Sequence, residues 1–293
     1  MPRLAHIAWA DGVLAARGRG TRARMTEHRA EIAGPHADDR DEAELADVTL
    51  RWSDVGLFLA CYVGLVAVWV GIGEAITHSS WIEGRDQSIA EWFVDTRTAA
   101  LTTWSSVGSN LAETLPKIVF TAIVALTMRL VWKRWREPLM MVLPLVLEAS
   151  VFITVTYIVG RPRPDVKRLD TSPVGSSFPS GHVAAAAVYG ALVIIVFWHV
   201  RNRVARAAVV VLCVATPLAV GWARMYRGMH HLTDVAAGLV LGIVSVTLCW
   251  WMIRRAVRRT ELATDGARVS TPVSPIPSLD ATTPEPSPAR QLG

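Results

Sequence analysis

Residues 176–200 read SSFPSGHVAAAAVYGALVIIVFWHV. The stretch opens on serines, a proline and Gly181, with Ser180 suited to cap a helix, and from Val183 onward it contains no Asp, Glu, Lys or Arg. An apolar run of this length crosses a hydrocarbon layer of roughly 30 Å as a helix. Similar runs lie at about 55–76, 115–132, 138–159, 205–223 and 235–253, which makes six spans. Composition agrees: 293 residues with 52% hydrophobic and 19% charged side chains, at a mean hydropathy of +0.33, are too apolar for an ordinary soluble domain. The expectation is an all-α bundle of six transmembrane helices over residues 51–259.

The short connections give that bundle a direction. Arg129, Lys133, Arg134 and Arg136 lie between spans two and three, Arg201, Arg203 and Arg206 between spans four and five, and Arg254, Arg255, Arg258 and Arg259 after span six. Cytoplasmic loops retain Lys and Arg, so these connections face inward and the alternate ones face outward. The outward set includes 77–114, where Glu83, Asp86, Glu91, Asp95 and Glu113 outnumber Arg85 and Arg97. Both termini are expected in the cytoplasm of a multi-pass cell-membrane protein. Trp132, Trp135, Trp198, Trp250 and Trp251 fall near the inner boundary and Trp81, Trp104 and Trp222 near the outer one, as interfacial belts do. The net charge of +5 is thus mostly a topology signal. No basic domain with interleaved aromatics supports a nucleic-acid partner. Cys61, Cys213 and Cys249 fall inside spans and read as apolar filler.

The flanks carry no chemistry. Residues 1–50 mix Arg, Glu, Asp, Ala and Gly without a sustained apolar stretch or the features of a signal peptide, and are expected to form a flexible tail with a short helix around 37–47. Residues 260–293, rich in Pro, Ser and Thr, are expected to be disordered. Within 86–104, Ile89, Trp92, Phe93, Ala100, Leu101 and Trp104 recur at helical spacing. They fit either a helix lying in the outer interface or one packed over the mouth of the bundle.

Three fragments at span ends supply what phosphoryl transfer needs. After span three, Gly160 leads into Arg161-Pro162-Arg163-Pro164, where the prolines stop the helix and present two guanidinium forks suited to phosphate oxygens. Before span four, Ser180 and Gly181 place a helix start rich in N–H groups next to His182, and Gly181 admits an anion close to the backbone. Before span six come Arg224, Arg227, His230, His231 and Asp234. If a helix begins before His230, Asp234 stands one turn on and its carboxylate orients the imidazole as a nucleophile or base. His231 reads as a neighbour. His182, His230, His231 and Asp234 are also zinc-type ligands, but Arg161, Arg163, Arg224 and Arg227 oppose a divalent cation there.

Taken in register, these fragments resemble the type 2 phosphatidic acid phosphatase (PAP2) family, which shares its helical catalytic core with vanadium haloperoxidases. The family pattern is Lys, six residues, Arg-Pro; then Pro-Ser-Gly-His; then Ser-Arg, five residues, His, three residues, Asp. Arg163-Pro164, Pro179 to His182, Arg224, His230 and Asp234 match it in order and spacing. The resemblance implies a metal-independent phosphatase without a cofactor, in which His230 attacks phosphorus, Asp234 orients it, His182 protonates the leaving oxygen, and Arg163, Arg224, Ser180 and Gly181 hold the equatorial oxygens. Two positions depart from the pattern: Thr156 stands where it has Lys, and Ala223 where it has Ser. Arg161, five residues after Thr156, is the first candidate to supply the missing cation, and Lys117 near the outer end of span two is the second.

An outward-facing site at a membrane surface implies a lipid phosphate substrate. Lys167 and Arg168 suit a polyprenyl (undecaprenyl-type) diphosphate first, with phosphatidic acid or another glycerolipid phosphate second. A catalytically silent lipid-binding protein on the same fold is the rival of a different class, and the intact His182, His230 and Asp234 weigh against it.

Overall fold

The computed structural model describes residues 47–111, 114–171 and 175–269. They form helices α1 (Trp52–Thr77), α2 (Ser80–Asp95), α3 (Ala99–Leu111), α4 (Thr114–Trp132), α5 (Arg136–Val159), α6 (Gly181–Val188), α7 (Gly190–His199), α8 (Arg203–Tyr226) and α9 (Leu232–Val269), with no strand among the described residues. Among the described residues, six segments are long and apolar enough to cross a membrane: α1, α4, α5, α6 with α7, α8, and α9 as far as Ala263. The expected six-span, all-α architecture is the one found. The expected short helix at 37–47 lies outside the described residues, apart from Asp47.

The short helix α6 is the axis of the bundle. Val183 to Val188 are all buried, and its alanines let α9 approach at backbone distance. A Cβ on Gly238 would overlap the Ser180 carbonyl oxygen and stand 3.2 Å from its carbon, and one on Gly242 would stand 2.6 Å from the Ala187 Cβ and overlap the Ala184 carbonyl. Small residues four apart therefore seat α9 against α6, as they do between membrane helices generally. Helix α5 closes the third side. Its Leu147, Val151 and Val155 are completely buried among Leu65 and Trp69 of α1, Phe178 and Leu241. The perimeter keeps large apolar side chains exposed, among them Leu126, Leu130, Val211, Leu212 and Ile243, as a bundle solvated by acyl chains requires.

Two boundaries differ from the expectation. Helix α9 continues through 260–269 rather than ending near 259, and polar contacts hold it at that point: Arg259 donates to both carboxylate oxygens of Asp54 at 2.8 and 2.6 Å, and the Thr260 hydroxyl lies 2.7 Å from that of Thr49. The segment 86–104 is two helices rather than one. Arg97 turns inward at the break and donates to the Tyr226 carbonyl (3.0 and 2.9 Å) and the Lys167 carbonyl (2.7 Å), while the Thr98 N–H donates to the Tyr226 hydroxyl at 2.9 Å. Helices α2 and α3 thereby pack on the ends of α8 and α9, the mouth of the bundle.

Candidate active site

Four helix ends meet at that mouth: the C-termini of α5 and α8 and the N-termini of α6 and α9. Helix α5 stops at Gly160, whose left-handed φ of 60° lets its N–H return to the Thr156 carbonyl at 3.3 Å. The described residues from there to α6 contain no helix. Their backbone is held by Ser177, whose N–H donates to the Arg161 carbonyl (2.8 Å) and whose hydroxyl donates to the Pro162 carbonyl (2.9 Å). At the far end the Ser180 N–H donates to the Asp234 carbonyl at 3.0 Å, which joins the start of α6 to the start of α9.

This frame gathers the sequence-predicted residues. Arg163 donates to the Met229 carbonyl (2.5 Å) and the Ser176 carbonyl (3.0 Å), so its guanidinium is pinned beside the segment that carries His230. Burial, with Arg224 close by, lowers its pKa to about 10, which still leaves it charged at neutral pH. Arg224 donates to the Ser109 hydroxyl at 2.6 Å and to Asp170 at 3.2 Å. His182, in the first turn of α6, interacts electrostatically with Arg224, Lys117, His230 and Arg163. The Ser180 hydroxyl is buried with no hydrogen-bond partner, and Gly181 lies so close to the Phe152 ring that a Cβ would approach it to 2.8 Å. Two guanidinium groups, a helix start and an unsatisfied hydroxyl thus surround one imidazole pair, which is the chemistry of an anion site.

His230 has a defined tautomer. Its Nδ1 stands 2.8 Å from the Ser177 carbonyl, and a carbonyl only accepts, so Nδ1 carries the hydrogen and Nε2 the lone pair. Burial, reinforced by Arg224 and Arg163 and opposed by Asp234, pushes its pKa down to about 3, so the imidazole is neutral and nucleophilic at physiological pH.

The role expected of Asp234 changes. Helix α9 begins at Leu232, so His230 is outside the helix and the two side chains do not stack across one turn. The carboxylate lies 3.9 Å from His230 Nδ1, within ionic reach but not hydrogen-bonded, and the Ser177 carbonyl orients the ring instead. Asp234 accepts from the His231 N–H (2.8 Å), from His231 Nδ1 (3.2 Å) and from Arg161 (2.5 Å). Any metal on this carboxylate would have to displace these donors.

Arg161 is likewise not where the vacant cation position needed it. Its guanidinium is committed to Asp234, to the Thr233 hydroxyl (2.7 Å) and to Asp86 (2.9 Å), because two buried carboxylates offer it stronger compensation than an open pocket. Thr156 itself donates to the Phe178 carbonyl at 3.3 Å. Lys117 interacts electrostatically with His182 and with the buried Glu148 of α5. Arg227 is buried and grips Asp170 with Nε at 2.6 Å and NH2 at 2.5 Å.

Sequence reasoning missed Asp86, Asp170, Ser109 and the Ser177 carbonyl. The first two are acidic residues in stretches that read as polar surface. A carbonyl leaves no trace in side-chain identity.

Residues 139–258 match the model of the PAP2 superfamily, and every matched motif position lies inside that stretch. The resemblance drawn from the motifs therefore stands. A transmembrane PAP2-type phosphatidylglycerolphosphate phosphatase from Bacillus subtilis superposes with a TM-score of 0.59 at 24% identity, over 66% of this chain and 96% of that one. LpxE from Aquifex aeolicus aligns with a TM-score of 0.44 at 21% identity, over 56% of this chain and 93% of that one. No curated protein sequence matches the chain.

Proposed function

We propose that this PAP2-type chain is an integral membrane phosphatase that hydrolyses a lipid phosphate or diphosphate through a phosphohistidine on His230. The observation that carries the reading is the Nδ1 hydrogen bond of His230 to the Ser177 carbonyl, which leaves Nε2 as a lone-pair donor beside Arg163, Arg224 and the start of α6. In the first step Nε2 attacks phosphorus, the bond from phosphorus to the leaving oxygen breaks, and His182 gives that oxygen a proton. Arg163, Arg224, the Ser180 hydroxyl and the N–H groups of α6 hold the equatorial oxygens, where the transition state gathers charge. In the second step water attacks phosphorus, His182 takes its proton, and the electrons of the N–P bond return to His230 as phosphate leaves. None of these steps draws on a metal.

The alternation of basic connections supports an extracytoplasmic site with both termini inside. The tail of the substrate then stays among the acyl chains while its headgroup reaches the four helix ends. Arg168 interacts with Arg163 and extends the cationic surface beyond one phosphate, which favours a polyprenyl diphosphate over a glycerolipid monophosphate.

The test is phosphate release from a panel of lipid phosphates and diphosphates by purified protein in detergent with EDTA present. Wild-type protein should release phosphate and His230→Ala should not. A His230→Ala variant with wild-type turnover removes the nucleophile assignment. Cysteine labelling from outside intact cells should reach a substitution at Lys167 and miss one at Arg203, and the opposite pattern reverses the orientation.

A further inference from the structure

The best-formed polar cluster outside the phosphate pocket is centred on Arg161, which is 2% exposed and lies between Asp86, also 2% exposed, and Asp234, fully buried. NH1 meets Asp234 at 2.5 Å and NH2 meets Asp86 at 2.9 Å. Thr233 closes the ring: its N–H donates to one Asp86 oxygen at 3.3 Å and its hydroxyl to the other. Asp86 belongs to α2, outside the stretch that matches the PAP2 model, so it is no part of the motif. The same helix also grips the arginine loop one residue on, where the Gln87 amide accepts from the Asp165 N–H at 3.1 Å and donates to its carbonyl at 3.2 Å.

The charge count gives this cluster a meaning, on the reading that His230 is the nucleophile. When Nε2 bonds to phosphorus, Nδ1 keeps its hydrogen and the ring becomes a cation. Arg163 and Arg224 both oppose that cation, and Asp234 is the carboxylate beside it. Paired with Arg161 alone, Asp234 would be neutralised where its charge is needed. A second carboxylate on the same guanidinium leaves the group of three with one net negative charge in surroundings of low dielectric.

We infer that Asp86 is a positioning residue for the reaction: by taking the second edge of Arg161 it holds that side chain in place and leaves Asp234 with negative charge to balance the phosphohistidine. A peripheral helix would thus complete the electrostatics of the catalytic core.

The experiment compares Asp86→Asn, Asp86→Glu and the double variant Asp86→Asn/Arg161→Gln with wild type and His230→Ala. The readouts are kcat and KM on one lipid phosphate and inhibition by orthovanadate. Asp86→Asn should lower kcat on the order of tenfold, the effect of one unit charge across about 10 Å at an effective dielectric of about 20, with KM little changed and inhibition by orthovanadate, which mimics the pentacoordinate state on the same Nε2, weakened in parallel. Asp86→Glu should restore most of the loss. The double variant should exceed Asp86→Asn, because Asp234 regains its charge when the guanidinium is removed. An Asp86→Asn enzyme with wild-type kcat, or a double variant no better than the single one, overturns the inference. If Asp86→Asn does not fold, a folded and active double variant supports the charge argument, and failure of both assigns Asp86 to the fold alone and overturns it. Activity in His230→Ala removes the underlying reading instead, and that outcome is separate from the others.

Discussion

Replacing Gly238 by alanine tests whether the backbone contact between α9 and α6 sets the catalytic geometry. The added methyl would overlap the Ser180 carbonyl oxygen and stand 3.2 Å from its carbon and 3.3 Å from its Cβ. None of these atoms is the end of a flexible side chain, so the helices themselves must separate. Ser180 and His182 ride on α6, while the Asp234 carbonyl that receives the Ser180 N–H rides on α9. On the proposed mechanism, a shift of roughly 1 Å between His182 and His230 costs on the order of 100-fold in rate. Overpacking of this kind costs about 1–3 kcal/mol of stability. Gly64 and Gly71 of α1 are the controls, since a Cβ at either meets nothing within 4 Å and alanine improves helix propensity there. The assay is kcat/KM on a lipid phosphate alongside thermal unfolding in the same detergent. Gly238→Ala should lose at least most of its activity at a temperature where it remains folded, while Gly64→Ala and Gly71→Ala stay at wild-type levels. A Gly238→Ala enzyme as fast as wild type would refute the reasoning, since the geometry could then not depend on this contact.

Other expectations follow from single groups. With the pKa of His230 held near 3 against an ordinary value of 6.5, the folded protein binds fewer protons than the unfolded chain between those limits. Stability should fall as pH drops below about 6.5, by at most about 1.4 kcal/mol per pH unit from this group, and His230→Asn should flatten the dependence of Tm on pH. The same shift places any acid limb of kcat/KM that belongs to His230 well below pH 6. Lys117, which interacts with His182 across the bundle, should slow turnover when changed to Met, and Thr156→Lys in that background should recover part of the rate; no loss in Lys117→Met leaves the pattern lysine without a substitute. Asp170 is held below its ordinary range by the Arg227 hydrogen bonds and the charges of Arg227 and Arg224, which outweigh its burial. Asp170→Asn should lower Tm at pH 7, with the difference from wild type vanishing as pH falls through the depressed carboxylate range, as circular dichroism melts can measure.

The spans were legible because lipid imposes one rule on every stretch: a predominantly apolar run long enough to cross, with charged residues kept mostly to the ends. The motif positions were legible for a related reason, since Gly181, His182, Arg224 and Asp234 break otherwise apolar helices at their ends. The pairing of Arg161 was not. A guanidinium fork binds a carboxylate or a phosphate with the same geometry, and only the position of Asp86 decides between them. Asp86 itself sits on an amphipathic helix among Glu83 and Glu91, where a solvated acid and a buried one look alike in sequence. The break at Arg97 was hidden because an inward turn of one arginine overrides a helical period that continues on both sides. Spacing alone also misjudged His230 and Asp234: four residues apart describes a turn only if the helix has already begun, and here it begins between them.

The described residues between α5 and α6 are anchored partly by residues synthesised earlier, Asp86, Gln87 and Arg97, and partly by residues synthesised later. The Leu169 N–H donates to the Arg227 carbonyl, Arg163 to the Met229 carbonyl, and the Ser180 N–H to the Asp234 carbonyl, while the Ser177 carbonyl accepts from His230. During translation the clamp residues therefore enter the membrane region before any of these acceptors or donors exists. Polar backbone near a membrane is best tolerated when other protein covers it, and here that cover is complete only when the last helix has been inserted. The register of these residues is complete only with the final span, and a chain arrested at residue 226 holds both arginines of the loop and His182 with only the earlier part of their anchors, from Asp86, Gln87, Arg97 and Ser177.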